Sequence, residues 1–385
     1  MTQSNRLHTK GSLSLGFIGG GLSSTIGQAH FAASRLDGRW QLSAGFFSRQ
    51  REMNCKTAET WHIPQERLYE SWQSFIASER DKLDAVVVLT PTPEHLEIVC
   101  ALIDEGISII SEKPLVSSLE ESDLINQAYQ ESRNFLSVTY NYSGYPMVRE
   151  LRELIRQGNL GQLHKFHFEM PQEVFLRVPG IAGRSALPHS WRLEDGVIPT
   201  ICLDLGVHLH HLAVFLTGEE PVRTMAEFSN HSKYSGLVDD VMMWIEYQDG
   251  MKGSFWMSKT ALGHRNGLKL SVFGEKGSAE WCHAKPEQLM VSDTTGTITR
   301  VDRGSETLIC GEPRYNRYRS GHPSGFVEAF ANLYSDIADA LIAYRETGSY
   351  ETPYVFGLDH SVNGLRLFTS AQMSNNERIW KEIRD

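Results

Sequence analysis

The sequence predicts an α/β protein in which a doubly wound parallel sheet precedes an α+β domain with a large, mostly antiparallel sheet. Apolar strands alternate with helices over about the first 140 of its 385 residues, the pattern of a doubly wound sheet. The run LDAVVVLT (83–90) contains a continuous β-branched stretch, as expected of a strand buried on both faces. Farther along, three pairs of strands flank short turns that each contain glycine, which predicts antiparallel hairpins.

The N-terminal elements follow one another in a regular order. SLSLGFIGGG (12–21) is a strand that runs into glycines, and SSTIGQAHFAASRL (23–36) is a helix with Ser23 or Ser24 as its N-cap. The elements that follow are WQLSAGFF (40–47, densest from Ser43 to Phe47), LDAVVVLT, PEHLEIVCALIDEG (93–106), ISIISEKP (107–114), SLEESDLINQAYQES (118–132) and NFLSVTY (134–140). We therefore expect residues 1–142 to form one domain.

The pattern changes after about residue 143. The first elements there are an amphipathic helix, YPMVRELRELIRQG (145–158), and a strand, LHKFHFEM (163–170). The predicted hairpins are 239–259, 268–282 and 289–302, and two helices at 325–346 and 362–383 close the chain. Residues 143–385 are therefore expected to form the second domain.

Composition excludes several classes of protein. The formal net charge of -10 argues against a broad nucleic-acid surface. No apolar run is long enough to span a bilayer, and the N-terminus lacks the apolar region of a signal peptide. The five cysteines are scattered without zinc-clip spacing, so we expect a protein of the reducing cytoplasm with no membrane or nucleic-acid partner.

A glycine turn follows the first strand. Gly19-x-Gly21 is followed by residues 22–24, so the third glycine of G-x-G-x-x-G is missing, and Gly27 comes three residues late. A tight strand–helix turn without a ligand remains the alternative. The position of the turn at the start of a βαβ series favours a phosphate-binding loop.

The second strand ends in Ser48, Arg49 and Arg51 instead of the acidic residue that would bind a ribose hydroxyl. A guanidinium binds a 2′-phosphate well, which favours NADP slightly over NAD. The alternative is that both arginines are ordinary solvated residues at the start of a helix.

Several segments resemble the glucose–fructose oxidoreductase / inositol dehydrogenase / MocA (Gfo/Idh/MocA) family. They are IGGG…IGQAH, VVVLTPTPEHLEIVCALIDEGISIISEKPL, NYSGYPMVRELRELIRQGNLGQL and LDLGVHLHHLAVFLTG, with GEKGSAEW and HPSGFVEAFANLYSDIADAL later in the chain. The resemblance implies an NAD(P)-binding Rossmann domain over 1–142 and a substrate-binding and oligomerisation domain over 143–385. It also implies a dehydrogenase that acts on the CH–OH groups of sugars or polyols, as a homodimer or homotetramer.

The resemblance also implies site residues. At the cofactor, beside Ser48 and Arg49, these are Gly19, Gly21, Leu22, Ser23, Ile26, Gly27, Thr90, Pro91, His95, Glu112 and Lys113. At the substrate they are Asn141, Tyr142, Asp204 and His208, and Lys113, Asp204 and His208 would be catalytic. One departure concerns DGVIPTICLD, where Pro199 and Thr200 stand in place of the usual small glycines.

Alcohol oxidation explains why these residue types are needed. A hydride leaves carbon for the cofactor while a proton leaves oxygen for the protein, and Lys113 at a strand end can polarise the hydroxyl or accept that proton. His208 suits proton transfer near neutral pH. If its segment is an α-helix, Asp204 lies four residues away on the same face and can orient the imidazole. His210 and His211 are more simply structural, and we expect no metal because HEXXH and paired cysteines are both absent.

Residues 173–196 are expected to form a loop over the active site. It carries Arg177, Arg184, His189, Trp191 and Arg192. Trp191 can stack on a sugar face while Arg192 binds a carboxylate or phosphate, so both are candidate substrate ligands. The alternative is an ordinary surface loop.

Two other functions remain open. Transient oxidation by a bound NAD can drive elimination or glycoside cleavage without net redox change. The second open function is that of a regulator that binds nicotinamide without catalysis, although the presence of Lys113 and His208 argues against it.

Overall fold

The computed structural model describes residues 12–132, 134–178, 190–305 and 309–383. Within these ranges the chain forms two compact units. The first contains 12–116, 121–141 and 326–358, and the second contains 117–120, 142–325 and 359–383. None of the helices in the described ranges has the length and apolar character needed to cross a membrane.

The first unit is built on a five-stranded parallel sheet in the order β2-β1-β3-β4-β5. Its strands are β1 (Leu13–Gly19), β2 (Trp40–Phe46), β3 (Ala85–Leu89), β4 (Ile109–Glu112) and β5 (Leu136–Thr139). Its helices are α1 (Thr25–Leu36), α2 (Arg51–Thr60), α3 (Trp72–Glu79), α4 (His95–Asp104), α5 (Leu119–Ser132) and α8 (Phe326–Thr347). Every residue of β3 is buried, which confirms the prediction of a strand covered on both faces.

Helix α8 belongs to the first unit, whereas the predicted domain boundary at residue 142 assigns it to the second. Phe330, Tyr334, Ile337 and Leu341 of this helix belong to the same apolar core as β1 and β3. The Trp40 indole N–H also donates to the backbone oxygen of Tyr334 at 2.9 Å. The helix packs here because its apolar stripe is buried against the first unit, and a boundary drawn along the chain cannot show such a return.

The second unit contains a nine-stranded sheet in the order β13-β12-β11-β10-β6-β9-β8-β7-β14. Its strands are β6 (Leu163–Pro171), β7 (Pro221–Ser229), β8 (Asp240–Tyr247), β9 (Lys252–Ser258), β10 (Lys269–Gly274), β11 (Gly277–Cys282), β12 (Gln288–Asp293), β13 (Ile298–Asp302) and β14 (Lys381–Glu382). All pairs are antiparallel except β6 with β9. The three predicted hairpins are confirmed as β8–β9, β10–β11 and β12–β13.

The helices of the second unit are α6 (Pro146–Arg156), α7 (Val207–Thr217) and α9 (Leu358–Glu377). The prediction that the last helix continues to residue 383 is wrong. It ends at Glu377, where Arg378 takes a positive φ of 57°, and β14 then pairs with β7. Left-handed backbone at a residue other than glycine stops the helical hydrogen-bond pattern.

Candidate active site

The glycine turn of the first unit is closely packed. Gly19 and Gly20 have φ values of +86° and +71°, a left-handed region that glycine enters without strain. A Cβ atom on Gly27 would lie 1.8 Å from the backbone oxygen of Gly20, so a side chain is excluded there. Gly27, which comes three residues late in the sequence, therefore lies where α1 packs against the turn.

The turn leads backbone N–H groups to the start of α1. The N–H of Gly21 donates to Phe47 O, and the N–H of Leu22 donates to Thr57 Oγ1, both at 3.2 Å. The first N–H groups of a helix lack intrahelical partners and attract anions. Leu22 and Ile26 are half-buried against the core, whereas Ser23 is exposed. The N–H groups of Gly21 and Leu22 therefore anchor the turn to the protein, and the start of α1 that follows is the part of the segment that can attract an anion.

The residues after β2 are tied to neighbouring groups. Ser48 Oγ accepts from the N–H of Gln50 at 3.1 Å. Arg49 has a 78% exposed side chain, and its Nη2 lies 2.9 Å from Glu94 Oε1. Arg51 Nε is 3.9 Å from a carboxylate oxygen of Glu70, and both side chains are exposed. The guanidinium expected to select NADP therefore already has a carboxylate partner.

Two buried polar atoms lie at the carboxyl end of the first sheet. Thr90 follows β3, Asn141 follows β5, and within the described residues neither Thr90 Oγ1 nor Asn141 Nδ2 has a hydrogen-bond partner. Buried polar atoms without partners are rare in proteins, and a ligand can satisfy them. Because ligands of such sheets bind at this edge, these residues and the glycine turn fit a dinucleotide.

His95 joins two loops at this edge. Its Nε2 is 2.9 Å from the backbone oxygen of Thr90, and its Nδ1 is 3.0 and 3.1 Å from those of Pro114 and Leu115. Burial lowers the pKa of His95. Since both ring nitrogens face protein carbonyls, the residue fixes the segment Thr90–Pro91 against the end of β4.

Glu112 is buried at the end of β4, directly before Lys113. Its Oε1 lies 3.0 Å from His30 Nε2 and accepts a hydrogen bond from the Thr139 hydroxyl. Burial alone raises the pKa of Glu112, but His30, Lys113 and Thr139 together bring it below its usual value. The carboxylate next to Lys113 is therefore an anion. The peptide bond between Lys113 and Pro114 is cis.

In the second unit, the segment with Asp204 departs from the α-helix assumed in the sequence analysis. Cys202–Gly206 is a π-helical turn that leads into α7. A Cβ atom on Gly206 would lie 2.5 Å from the ring of Phe368 and 3.0 Å from Met257 Sδ. The regular four-residue spacing between Asp204 and His208 therefore does not hold. Single π-turns occur often at functional sites.

Pro199 and Thr200 begin this helical segment. Their backbone groups take part in its start, since Cys202 N donates to Pro199 O at 2.9 Å and Thr200 N donates to Asp195 Oδ1 at 2.8 Å. Where the family usually has glycines, this chain therefore has a capped start of the helix, with Asp195 as the capping carboxylate.

Two cations bind the same oxygen of Asp204. Lys259 Nζ lies 2.5 Å from Oδ2, and Arg192 Nη1 lies 3.0 Å from it. Lys259 follows β9, is only 8% exposed, and also donates to Gln172 Oε1 at 3.0 Å. Buried lysines are rare unless they are paired, so Asp204 and Lys259 form one charged unit.

His208 is buried against an aromatic cluster. Its ring meets that of Tyr142 edge to face, with centroids 4.7 Å apart. The Tyr142 hydroxyl accepts from Asn266 Nδ2 at 2.9 Å, and the ring of His283 lies 5.5 Å away. The structure thus brings together two predicted substrate residues, Tyr142 and His208.

His210 and His211 pack against α9. His211 Nδ1 is 3.1 Å from His360 Nε2, the rings of His210 and His360 stack at 4.9 Å, and His210 Nε2 lies 3.4 Å from Glu220. Burial places the pKa values of His211 and His360 well below the usual value. Across the described ranges, no three His, Cys, Asp or Glu side chains are grouped to hold a metal ion.

The predicted covering loop is described only in part. Arg184 and His189 lie outside the described residues, and so does the side chain of Trp191. Arg177 Nη1 is 3.7 Å from Glu173 Oε1. Of the two predicted substrate ligands in the loop, Arg192 is therefore the one with a defined partner, Asp204.

Sequence reasoning missed several residues around these sites. They are His30, Tyr334, Lys259, Gln172 and His360. One signal was available for Lys259, because it directly follows the apolar strand GSFWMS. No sequence motif includes the other four residues, because their partners lie far away along the chain.

Comparison with known proteins identifies the family of both parts of the chain. Residues 13–140 match the oxidoreductase family with an NAD-binding Rossmann fold, and residues 148–280 match the GFO/IDH/MocA C-terminal domain. The uncharacterized oxidoreductase YfiI of Bacillus subtilis (strain 168) is 26% identical over 387 residues, which cover 95% of this chain and 96% of YfiI.

Two further relatives are dehydrogenases or their homologues. The scyllo-inositol 2-dehydrogenase (NAD(+)) of B. subtilis (strain 168) is 26% identical over 51% of this chain and 54% of its own. The inositol dehydrogenase homolog of Azotobacter vinelandii, solved with NADH and myo-inositol, superimposes with a TM-score of 0.86 at 25% identity, covering 97% of this chain and 98% of that one. The protein therefore belongs to the GFO/IDH/MocA family of NAD(P)-dependent sugar and polyol oxidoreductases.

Proposed function

We propose that the protein oxidises a secondary alcohol of a sugar, polyol or sugar derivative. The observation that carries the proposal is the carboxyl edge of the first sheet. There the glycine turn, the two buried polar atoms of Thr90 and Asn141, and the strand end with Lys113 occur together. Unsatisfied polar atoms beside an anion-binding turn are what a dinucleotide with its amide and hydroxyl groups requires.

A bound nicotinamide supplies the acceptor for the hydride. In our proposal Lys113 accepts the proton of the reacting hydroxyl, and His208 shares in that transfer because an imidazole titrates near neutral pH. Asp204 is held by Lys259 and Arg192 and accepts a hydrogen bond from a second substrate hydroxyl. Asn141, Tyr142, Trp191 and Arg192 contribute to substrate binding, and the first unit binds the cofactor.

We further propose that Arg49 favours NADP over NAD. Its guanidinium is exposed and can exchange the carboxylate of Glu94 for a 2′-phosphate, which it binds with two parallel hydrogen bonds. Replacing Glu94 by Gln removes the competing anion and should lower the KM for NADP. Replacing Arg49 by Ala should raise the KM for NADP and leave that for NAD unchanged. Equal KM shifts for both cofactors would contradict this selectivity.

We also propose that a second copy of the chain covers the open face of the nine-stranded sheet, giving a homodimer or a larger homo-oligomer. Side chains alternate between the two faces of a strand. On this sheet the side chains of Met242, Trp244, Phe273 and Met290 are at least 36% exposed. Exposed apolar groups of this size commonly mark contact surfaces. Trp244→Lys should produce a monomer in sedimentation velocity, and a wild-type protein that is itself monomeric would contradict the proposal.

A cytoplasmic location is part of the same proposal. The five cysteines are all free thiols, and Cys202 and Cys310 are buried. Buried free thiols persist most readily in a reducing compartment. The measurement is localisation of the tagged protein in fractionated cells, and recovery in an oxidising compartment would contradict it.

The proposed reaction is tested with a substrate panel. Inositols, levoglucosan, aldoses and nucleotide sugars are incubated with NAD or NADP, and reduced cofactor is followed at 340 nm. Reduced cofactor formed in proportion to substrate supports a dehydrogenase. Product formed with only catalytic cofactor indicates the redox-neutral reaction, and tight cofactor binding without any product indicates a regulator.

Lys113→Met tests the proton acceptor in the same assay. We expect kcat/KM to fall about 10²–10⁴-fold, the usual contribution of general acid–base catalysis. The matched control is Lys252→Met, since Lys252 lies on β9, is half exposed and pairs with Glu246. An unchanged rate in Lys113→Met with retained NADH binding would show that the assigned chemistry is wrong.

A further inference from the structure

A chain of hydrogen bonds leads from α8 to the residue before Lys113. His30 of α1 lies between Tyr334 and Glu112, with Nδ1 2.7 Å from the tyrosine hydroxyl and Nε2 3.0 Å from Glu112 Oε1. The Thr139 hydroxyl donates to the same carboxylate oxygen. His30 is 0% exposed and Tyr334 is 1% exposed. Four elements of the first unit therefore meet in one buried chain.

The direction of each hydrogen bond follows from the chemistry of the two ends. An ionised carboxylate can only accept, so His30 Nε2 carries a hydrogen and donates to Glu112. In an imidazole with its single N–H on Nε2, Nδ1 accepts, and the hydroxyl of Tyr334 donates to it. Burial and the charge of Glu112 raise the pKa of Tyr334 well above its usual value, so the tyrosine keeps its proton.

We propose that His30 and Tyr334 are positioning residues that hold Glu112 as an oriented anion beside Lys113. The proposal rests on the proposed function, because it concerns how Lys113 is set for its reaction. The charge and orientation of Glu112 act directly on the neighbouring Lys113 side chain, because the anion stabilises the positive charge that forms when Lys113 accepts the substrate proton. Tyr334 acts one step farther away by fixing which nitrogen of His30 donates.

The titratable groups that face Glu112 come from several elements. They are His30 of α1, His95 of α4, Tyr334 of α8 through His30, and the adjacent Lys113. Burial lowers the pKa of His95, which therefore stays neutral near pH 7. Without the hydrogen bond from His30, Glu112 therefore loses the main interaction that keeps its buried carboxylate ionised.

Tyr334→Phe is the first test because the ring and its packing are retained. The probe reaction is NAD(P)-dependent oxidation of myo-inositol, or of another panel compound that the wild type oxidises. We expect kcat to fall about 5–10-fold at neutral pH with KM unchanged, the size of one lost buried hydrogen bond. The acid limb of the kcat profile should move to higher pH, because Glu112 then becomes protonated more readily.

The matched control is Tyr344→Phe, the same substitution two turns or more farther along α8, where the ring packs against Phe135 and Tyr350. Its pH profile should equal that of the wild type. At His30, Leu should reproduce and exceed the effect of Tyr334→Phe, while Gln, which retains an N–H donor, should restore part of kcat. Identical profiles for Tyr334→Phe and Tyr344→Phe would overturn the proposal.

A second readout needs no substrate. The enzyme is labelled with [¹⁵N]histidine, and the His30 ring signals are assigned by their loss in His30→Gln. At pH 7 we expect the Nε2–H tautomer in the wild type and in Tyr344→Phe, and a mixture of tautomers in Tyr334→Phe. An Nδ1–H tautomer in the wild type would refute the chain of donors, whereas failure of every panel substrate would count against the proposed function alone.

Discussion

Two carboxylates, the buried Glu112 of the first unit and the partly buried Asp204 of the second, are stabilised in different ways. Glu112 accepts hydrogen bonds from the imidazole of His30 and the hydroxyl of Thr139. Asp204 lies between two cations, Lys259 and Arg192. Hydrogen-bond donors mainly fix the direction of a carboxylate, whereas a buried cation such as Lys259 depends on it for its own stability. Loss of the negative charge should therefore cost the two sites very different amounts of stability.

The largest expected difference is between Asp204→Asn and Glu112→Gln. The first should lower the free energy of unfolding by about 3 kcal/mol, because Lys259 then stays buried without its anion. The second should lower it by about 1 kcal/mol, because the amide oxygen still accepts from His30. Urea unfolding of both variants gives the comparison. Equal losses would show that the cations at Asp204 contribute no more than neutral donors.

Lys259→Met sharpens the comparison from the side of the cation. We expect a loss of about 2 kcal/mol in the free energy of unfolding, smaller than for Asp204→Asn because Arg192 still pairs with the carboxylate. The substrate KM should rise more than kcat falls, since Asp204 is misplaced and the proton acceptor is untouched. Lys252→Met, at the half-exposed first residue of the strand that leads to Lys259, serves as the control and should change neither quantity.

The double variant Asp204→Asn/Lys259→Met separates the pair from its parts. Since neither charge is then left buried alone, its loss of stability should be smaller than the sum of the single losses by about 1–3 kcal/mol. Strict additivity would mean that the two side chains do not act as a charged unit.

The last prediction concerns two buried histidines of the second unit, His211 of α7 and His360 of α9. His211 and His360 are kept neutral by burial, so the unfolded chain binds more protons than the folded one below the ordinary imidazole pKa of about 6.5. Their contribution is present above that pH and is lost as the pH falls. The free energy of unfolding should decrease by about 1.4 kcal/mol per pH unit for each histidine, and His360→Gln should reduce the slope. A slope unchanged in this variant would exclude His360 as a source.

The same contrast separates what the sequence predicts from what it does not. The α/β class, the parallel sheet and the three hairpins follow from local periodicity, because neighbouring residues decide strand and helix. Glu112 and Lys113 could be proposed as site residues for the same reason, since their motif is continuous in sequence. The structure also places Tyr142 beside His208, and both remain predicted substrate residues.

Long-range pairing accounts for what was missed. Lys259 reaches Asp204 across 55 positions, and Tyr334 reaches His30 across 304. Neither pairing leaves a local pattern, because the sheet and the core bring the partners together. The π-helical turn at Cys202–Gly206 escapes prediction for a related reason. Its extra residue is accommodated by Gly206 against Phe368, a contact that spacing alone cannot reveal.

The return of α8 to the first unit has a consequence for synthesis of the chain. A nascent polypeptide that ends near residue 142 still lacks the helix that covers one side of its core, so its apolar surface stays uncovered while almost 200 further residues are translated. Cofactor capture during translation should therefore begin only after residue 358 has left the ribosome. An N-terminal fragment made without α8 is expected to need a chaperone or to aggregate.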